Sequence, residues 1–454
     1  DMSKFVIFFI LVYITGLLGT FLYHSSAAFM LYQMVYLINP ENQWWYSQVP
    51  SLRYSFITAV VMILALLFNY RRLTAQAPWT ELPVLKWWLL FLLLHYITAF
   101  WAVNPLIHNM FSFEFFKSTI IFMVAFKLLH SEKHLDLSLW VYMLGCTYMG
   151  YIVRSVGRNV NGRVEGIGMI DTGGDPNLFA AVVVPSLVVM LYFAWQGNWK
   201  VRLIIVVCSA FVVNTLVLIN SRGAFLGAMA GCGLFICFML FSRFQKAGQR
   251  ATAIFIIVAG LAGAYSLTDA SFWQRMQTLQ VDEDGQRGGD GRGRIDYWFS
   301  TFDMLEDHKL GMGIGGFQTV SEVYLERVKV PHSMWFQVLG EFSWHGLALY
   351  LTMLLSVLRF SYLTKQYLIK NKEPEKYFKV VMLECALLSF LVTGSFIDRA
   401  RAEILYWLIL YLSVAGNVFY LQKLRSSKPE LTAGSDRQQQ LQVRARRRLI
   451  TKEE

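Results

Sequence analysis

The sequence predicts an all-α polytopic membrane protein with about 12–13 transmembrane helices, and three observations predict it. Of 454 residues, 56% are hydrophobic and only 16% charged, against roughly 25% charged in soluble domains, and the mean hydropathy is +0.43. Apolar stretches of about 20 residues, long enough to cross a hydrocarbon core of about 30 Å, recur from end to end. Lysine and arginine gather in alternate loops, the orientation signal of a chain threaded through a bilayer. Helices are the expected element because they satisfy their own backbone polar groups in lipid.

The elements follow in order. Residues 5–38 are nearly all apolar and would measure about 50 Å as one helix, so they divide into two, with the break expected at Gly19 and Thr20. This stretch outruns a signal-peptide core and shows no clear cleavage site. Further spans are expected near 54–70, 83–101, 109–129, 134–153, 176–195, 201–219, 223–242, 251–268, 334–360, 377–396 and 402–421. The chain is accordingly divided into N-terminal spans (1–153), a core holding the longest loop (154–360, with the loop at 269–332), C-terminal spans (361–422) and a basic tail (423–454). The tail, with Gln438 to Gln440 and Arg444 to Arg448, is expected to be disordered and cytoplasmic, or to touch anionic lipid.

Charge sets the orientation. Arg71, Arg72, Lys127, Lys133, Lys200, Arg202, Arg243, Lys246, Arg250, Lys365, Lys370, Lys372 and Lys376 fall on one side with the tail, which becomes the cytoplasmic side. The net charge of +11 therefore reads as topology, and nucleic acid is not an expected partner. Cys146, Cys208, Cys232, Cys237 and Cys385 lie in apolar spans without CxxC or Cys/His spacing, so they read as packing residues and no metal site is expected. Within 269–332 the sequence predicts an amphipathic helix, Arg294 to Leu305, and a glycine-rich turn, Gly311-Met-Gly-Ile-Gly-Gly316. Asp282-Glu-Asp-Gly-Gln-Arg-Gly-Gly-Asp290 mimics a calcium turn but lacks its full ligand spacing, and reads as flexible loop. The other outer loops are 39–53, 154–175, 220–222 and 397–401.

Four chargeable groups break the positive-inside pattern by sitting on the opposite face: Arg163 in Gly162-Arg-Val-Glu-Gly-Ile-Gly168, Arg222 in Asn220-Ser-Arg-Gly223, Arg294, and His332 in Pro331-His-Ser-Met-Trp335. A boundary arginine either snorkels to headgroups or pairs with a carboxylate; a cluster of them is also suited to phosphate, because the guanidinium fork matches it bidentately. Arg222 stands out, since Gly223, Gly227 and Gly231 beside it allow close helix approach, and it is expected to face a cavity. His332 is either an interfacial hydrogen-bonding group or a general base, its ordinary pKa of about 6.5 suiting proton transfer near neutrality. Among intramembrane groups, Glu114 and Lys117 pair at i, i+3 or line a substrate groove. Asp398, Arg399 and Arg401 extend an anion site or pair locally.

The order Arg163…Asn177, Ser221-Arg222-Gly223, Arg294…Trp298, Gly311-x-Gly313 and His332-Ser333-x-x-Phe336 with Gly346 resembles the O-antigen ligase and polymerase superfamily. The N-terminal motif Ile38-Asn-Pro-Glu-Asn-Gln-Trp44 resembles its branch of O-glycosylation ligases associated with exosortase loci. The resemblance implies a GT-C-like fold and a metal-independent, cofactor-free glycosyltransferase in the bacterial inner membrane, acting on the periplasmic face. It implies an undecaprenyl-pyrophosphate-linked glycan as donor and a lipid, glycan or protein hydroxyl as acceptor. It further implies that Arg163 and Arg222 hold the pyrophosphate and His332 activates the acceptor, with Arg294, Asn177 and Ser333 as binding residues. Phe336 departs from the leucine frequent there. A polymerase joining lipid-linked repeat units would use the same residues. A transporter of an anionic lipid or glycan is the rival from another class; it predicts internal repeats and broken helices, which the sequence does not show.

Overall fold

A computed structural model describes residues 3–160, 162–268, 270, 273, 294–326 and 328–427; the calcium-like turn and all but the first residues of the basic tail lie outside them. Among the described residues there is no strand ladder, and most of them are helical. The helices are α1 (Lys4–Leu22), α2 (Ala27–Ile38), α3 (Tyr54–Phe68), α4 (Tyr70–Gln76), α5 (Pro83–Thr98), α6 (Pro105–Leu128), α7 (Glu132–Val156), α8 (Pro176–Gln196), α9 (Trp199–Ile219), α10 (Arg222–Phe241) and α11 (Gln249–Leu267). They continue with α12 (Arg294–Asp307), α13 (Gly316–Leu325), α14 (Met334–Lys370), α15 (Pro374–Gly394), α16 (Glu403–Gly416) and α17 (Gln422–Ser427), the last two joined by a π-turn at Asn417–Leu421.

A helix stands at every expected span, which makes the chain an all-α polytopic membrane protein. Seven of the described helices are long and apolar enough to cross on those grounds alone, or eight if the bent α3–α4 pair is one span. The others fall short for visible reasons: α2 has 12 residues, while α6 and α7 carry charges along their length. Local signals start the helices where polar side chains can satisfy the first free N–H groups. Asn104 accepts from Ile107 N ahead of α6, Ser131 from His134 N ahead of α7, and Asp175 from Asn177 N and Leu178 N ahead of α8, with Pro176 at the first position.

Three expectations are corrected. The first break falls at Tyr23–Ser26, not at Gly19 and Thr20, which stay helical; His24 Nδ1 there accepts from Ser26 N (3.1 Å). The span expected at 334–360 is the head of a 37-residue helix running to Lys370, broken at Ser343 (φ 57°, ψ −167°). A straight helix of that length would measure about 55 Å, so the break is what fits it to a bilayer. The tail expected to be disordered from 423 opens as helix α17 through Ser427.

Packing is tightest where glycine removes side chains from a helix face. Gly227 and Gly231 of α10 lie so close to α15 that a Cβ at the first would stand 2.1 Å from Thr393 Oγ1 and at the second 2.6 Å from Ser389 Cβ. Close backbone approach of this kind replaces the hydrophobic driving force that lipid does not supply. Helix α16 forms the centre, with Ile404 through Gly416 buried without interruption. α1 lies at the rim, its outer face exposed.

The loops sort into two faces, as the charge pattern predicts. On the basic face, Lys127 Nζ donates to Ala77 O (2.9 Å) and Gln422 donates to Gln76 O and His130 O. Lys379 lies 2.6 and 2.8 Å from Glu132 and Asp136, and Lys246 pairs with Glu375. On the outer face, Asn39 and Asn42 donate to Gly168 O and Gly166 O. Through these contacts the N-terminal motif 38–44 acts structurally, holding in place the loop that carries Asp171.

Candidate active site

The outer-face site is built on a break in a helix. Where α14 opens at Ser343, the carbonyls of Gly340 and Glu341 lose their helical partners and accept instead from Met312 N (2.9 Å) and Gly313 N (2.8 Å). The glycine-rich turn is thus explained. Gly311 and Gly313 both have positive φ (89° and 76°), and a Cβ on Gly311 would stand 2.5 Å from Glu341 O. His108 completes the seat: Ile314 N donates to its Nδ1 (2.9 Å) and its Nε2 donates to His95 O (2.7 Å). The amphipathic helix is found at Arg294–Asp307 and buries Tyr297 and Met304 against Met312, Phe317 and Leu325. Trp298 stacks on Phe336 (centroids 5.3 Å, planes 6° apart) and donates to Pro331 O. Phe336, the departure from the family pattern, therefore has a partner that fits an aromatic ring.

His332 stands immediately before α14 with φ at 51°, a left-handed conformation that a histidine holds only at a cost and that clusters at functional sites. Its Nδ1 lies 3.7 Å from Asp398 Oδ2, and Ser333 N donates to Asp398 Oδ1 (3.2 Å). Asp398 belongs to the turn 395–402 between α15 and α16. Burial pushes its carboxyl up to about 7; N–H groups of Ser333 and His332 oppose the rise, Glu341 adds to it, and nearby Arg294 counters it. His332 and Ser333 thus meet at one carboxylate, within electrostatic reach of Arg294.

The same turn supplies two arginines. Arg401 grips Glu341 bidentately (2.5 and 3.0 Å), both side chains nearly buried. Gln337 ties the pair down, donating to Glu341 Oε1 and accepting from Ala400 N. Arg399 donates to Asp171 O, while Asp171 accepts from Tyr36 OH and from Glu403 N (3.1 Å), capping α16.

Arg163 and Arg222 approach from the other flank. Arg163 donates to Ile219 O (2.9 Å) and to Asn177 Oδ1 (2.8 Å), so the Arg163–Asn177 pair rests on the end of α9, three residues before Arg222. Arg222 opens α10, whose N-terminus adds the positive end of a helix dipole. The next residue, Gly223, packs against Phe396 (a Cβ would lie 3.1 Å from its Cβ), two residues from Asp398. The turn 395–402 therefore joins the arginine flank to the histidine flank.

A cavity of about 980 Å³ opens beside this turn. Its polar end holds Asp398, Arg399, Arg401, Glu341, Asp171 and Glu403; its apolar wall is Phe56, Ala59, Val60 and Ile63 of α3 with Ile107 and Phe111 of α6. Glu114 and Lys117 line it too and pair with each other (2.7 Å), the i, i+3 pairing expected of them. Arg163, Arg222 and His332 do not line this cavity, whose wall includes Pro331 and Asp398, the neighbours of His332 in sequence and in contact. The physical reason is the turn 395–402, whose own side chains occupy that wall. Glu341 and Asp171 were missed by sequence reasoning, since neither stands in a motif; a carboxylate buried beside a helix break was the available signal for Glu341.

Residues 207–351 match the family model described as O-antigen ligase. The match takes in Arg222, Arg294, the glycine turn and His332, and leaves Arg163, Asn177 and the turn 395–402 outside. No curated protein matches the chain.

Proposed function

We propose that this chain, of the O-antigen ligase and polymerase superfamily through residues 207–351, transfers a glycan from undecaprenyl pyrophosphate to an acceptor hydroxyl on the periplasmic face. The observation that carries the reading is His332, held left-handed and 3.7 Å from Asp398 at the edge of a cavity with one apolar wall and one polar end. The apolar wall of α3 and α6 suits a polyprenyl chain entering from lipid, and the carboxylates and tyrosines opposite suit sugar hydroxyls.

In the proposed step the acceptor oxygen attacks the anomeric carbon, its proton passes to His332 Nε2, and the bond to the pyrophosphate oxygen breaks. Asp398 orients the imidazole through Nδ1 and stabilises the imidazolium that forms, a contact that tightens when substrate closes the site. Pyrophosphate is a good leaving group, so charge stabilisation rather than acid catalysis is the main need. Arg222 and Arg163 supply it, with Arg294, Asn177 and Ser333 shaping the surroundings. A single displacement inverts the anomeric centre, which NMR of the product checks; retention would exclude it.

Ligase and polymerase share the donor and these residues and differ only in the acceptor, so the acceptor used separates them. One observation favours the transporter rival: broken helices, invisible in the sequence, occur at Ser343 and at the 85° bend between α3 and α4. The carbonyls freed at Ser343 are, however, taken by the glycine turn rather than left to coordinate a solute.

The deciding experiment is transfer in proteoliposomes containing EDTA, with an undecaprenyl-pyrophosphate-linked glycan and candidate acceptors. Transfer by the parent, lost in folded Arg222→Ala and His332→Ala, is expected; a decorated lipid or protein marks a ligase, a lengthened lipid-linked chain a polymerase. A parent that binds donor, transfers to nothing and moves it across the bilayer would overturn the enzyme reading.

A further inference from the structure

Three histidines far apart in sequence meet on the basic face. His24 lies in the turn between α1 and α2, His130 between α6 and α7, and His134 in the first turn of α7. One ring nitrogen from each lies within 4.8 Å of the other two, and the His24 and His134 ring centroids are 3.9 Å apart. His130 and His134 are more than nine-tenths buried, and His134 Nδ1 is buried without a hydrogen-bond partner among the described residues. A buried, unpartnered imidazole nitrogen costs free energy unless something binds it.

From this geometry we infer that His24, His130 and His134 form a binding site for a divalent transition metal, Zn2+ above others. Imidazole suits zinc, copper and nickel, whereas calcium and magnesium require oxygen ligands that this cluster lacks. Zinc–nitrogen bonds of about 2.0–2.1 Å set tetrahedral ligands about 3.4 Å apart, so the rings close by roughly an ångström or more on binding. His130 Nδ1 lies 3.3 Å from Lys127 O and donates to it, which leaves Nε2 as the lone-pair nitrogen and supplies the outer-shell contact that metal-bound histidines usually have. Binding a metal through His24 Nε2 moves the ring proton to Nδ1, which exchanges the bond from Ser26 N for donation to Ser26 Oγ, 2.9 Å away. Arg72 lies within electrostatic reach of His24 and His130, and Lys133 within reach of His24. Arg72 and Lys133 oppose a bare dication; the fourth position therefore takes an anion, hydroxide or chloride.

The site is structural and remote from transfer. None of the three histidines lines the cavity; on α6 its lining runs from Ile107 to Ile121, and Ile121 stands nine residues before His130, about 14 Å of helix. Zinc there ties the α1–α2 turn to the α6–α7 turn, and both α2 and α6 contribute residues to the cavity wall.

The test uses full-length protein in detergent, purified without a histidine tag, stripped with chelator and titrated with ZnCl2 or CoCl2. One metal per chain is expected, with the visible absorption of tetrahedral Co2+ and a higher melting temperature with Zn2+. His24→Ala, at a half-exposed turn where the fold tolerates change, and His134→Gln should each weaken binding at least tenfold, the lower end of what even outer-shell losses produce. Octahedral or substoichiometric Co2+ in the parent, or equal affinity in parent and His24→Ala, would overturn the site whatever the fate of His134→Gln. Glycan transfer plays no part in these readouts, so failure here is distinct from failure of the proposed function.

Discussion

The two faces of this protein treat buried charge in opposite ways. On the basic face Lys379 meets Glu132 and Asp136 at 2.6 and 2.8 Å, between helices that run without interruption. On the outer face Arg401 meets Glu341 where α14 is broken, and beside them Asp398 sits with its carboxyl pushed up to about 7, next to a strained His332. Closed ion pairs between intact helices hold a scaffold; imperfectly compensated charge at a helix break is where a protein keeps groups ready to react. The contrast argues for chemistry at the outer face from energetics alone.

The comparison breaks if the outer residues prove dispensable. The largest effect is expected from His332→Ala, which removes the proposed base and should lower transfer about 10³-fold, within the usual span for general-base loss, with the melting temperature nearly unchanged. A variant retaining most activity would move the chemistry elsewhere.

Asp398→Asn sharpens the contrast, with an expected loss of about 10²-fold and a changed pH profile. A folded-state carboxyl near 7 rather than 3.8 binds its proton more tightly than the unfolded chain does. Folded stability should therefore decline as pH rises from about 4 to about 7, and the proposed transfer by the parent protein should fall as pH falls through 7. The asparagine variant should lose the carboxyl-dependent part of both slopes, and should melt higher than the parent at pH 8. Unchanged profiles in the variant would remove Asp398 from the mechanism.

Smaller effects belong to the scaffold. Gly227→Val puts side-chain atoms where Thr393 and Ser389 already stand and should cost about 2–3 kcal/mol, the upper range for overpacking, read as thermal stability. Lys379→Met strands two carboxylates that are each about one-third exposed (38% and 32%). Its cost should be about 1 kcal/mol, well below the 3–5 of a fully buried pair, and transfer should be unaltered. A transfer defect in Lys379→Met beyond its loss of folded protein would show the faces to be coupled.

The amino-acid sequence by itself determined the helices, their sorting into two faces, the amphipathic helix from Arg294 and the motif residues, because each is written in local hydropathy, charge and turn chemistry. Arg163, Arg222, Arg294 and His332 were legible as outward groups that break a charge rule. Only the tertiary structure decided which partners they keep. Glu341 looks like any polar residue of an amphipathic stretch until the glycine turn opens α14 beside it, and Asp398 like a loop aspartate until His332 and Ser333 close on it from 65 residues away. The histidine cluster spans 110 residues: His130 and His134 stand four apart in the sequence, but nothing local brings His24 to them. The reason is common to all three: helical periodicity reports which face of a segment meets lipid or protein, whereas the meeting of two loops depends on how whole helices pack.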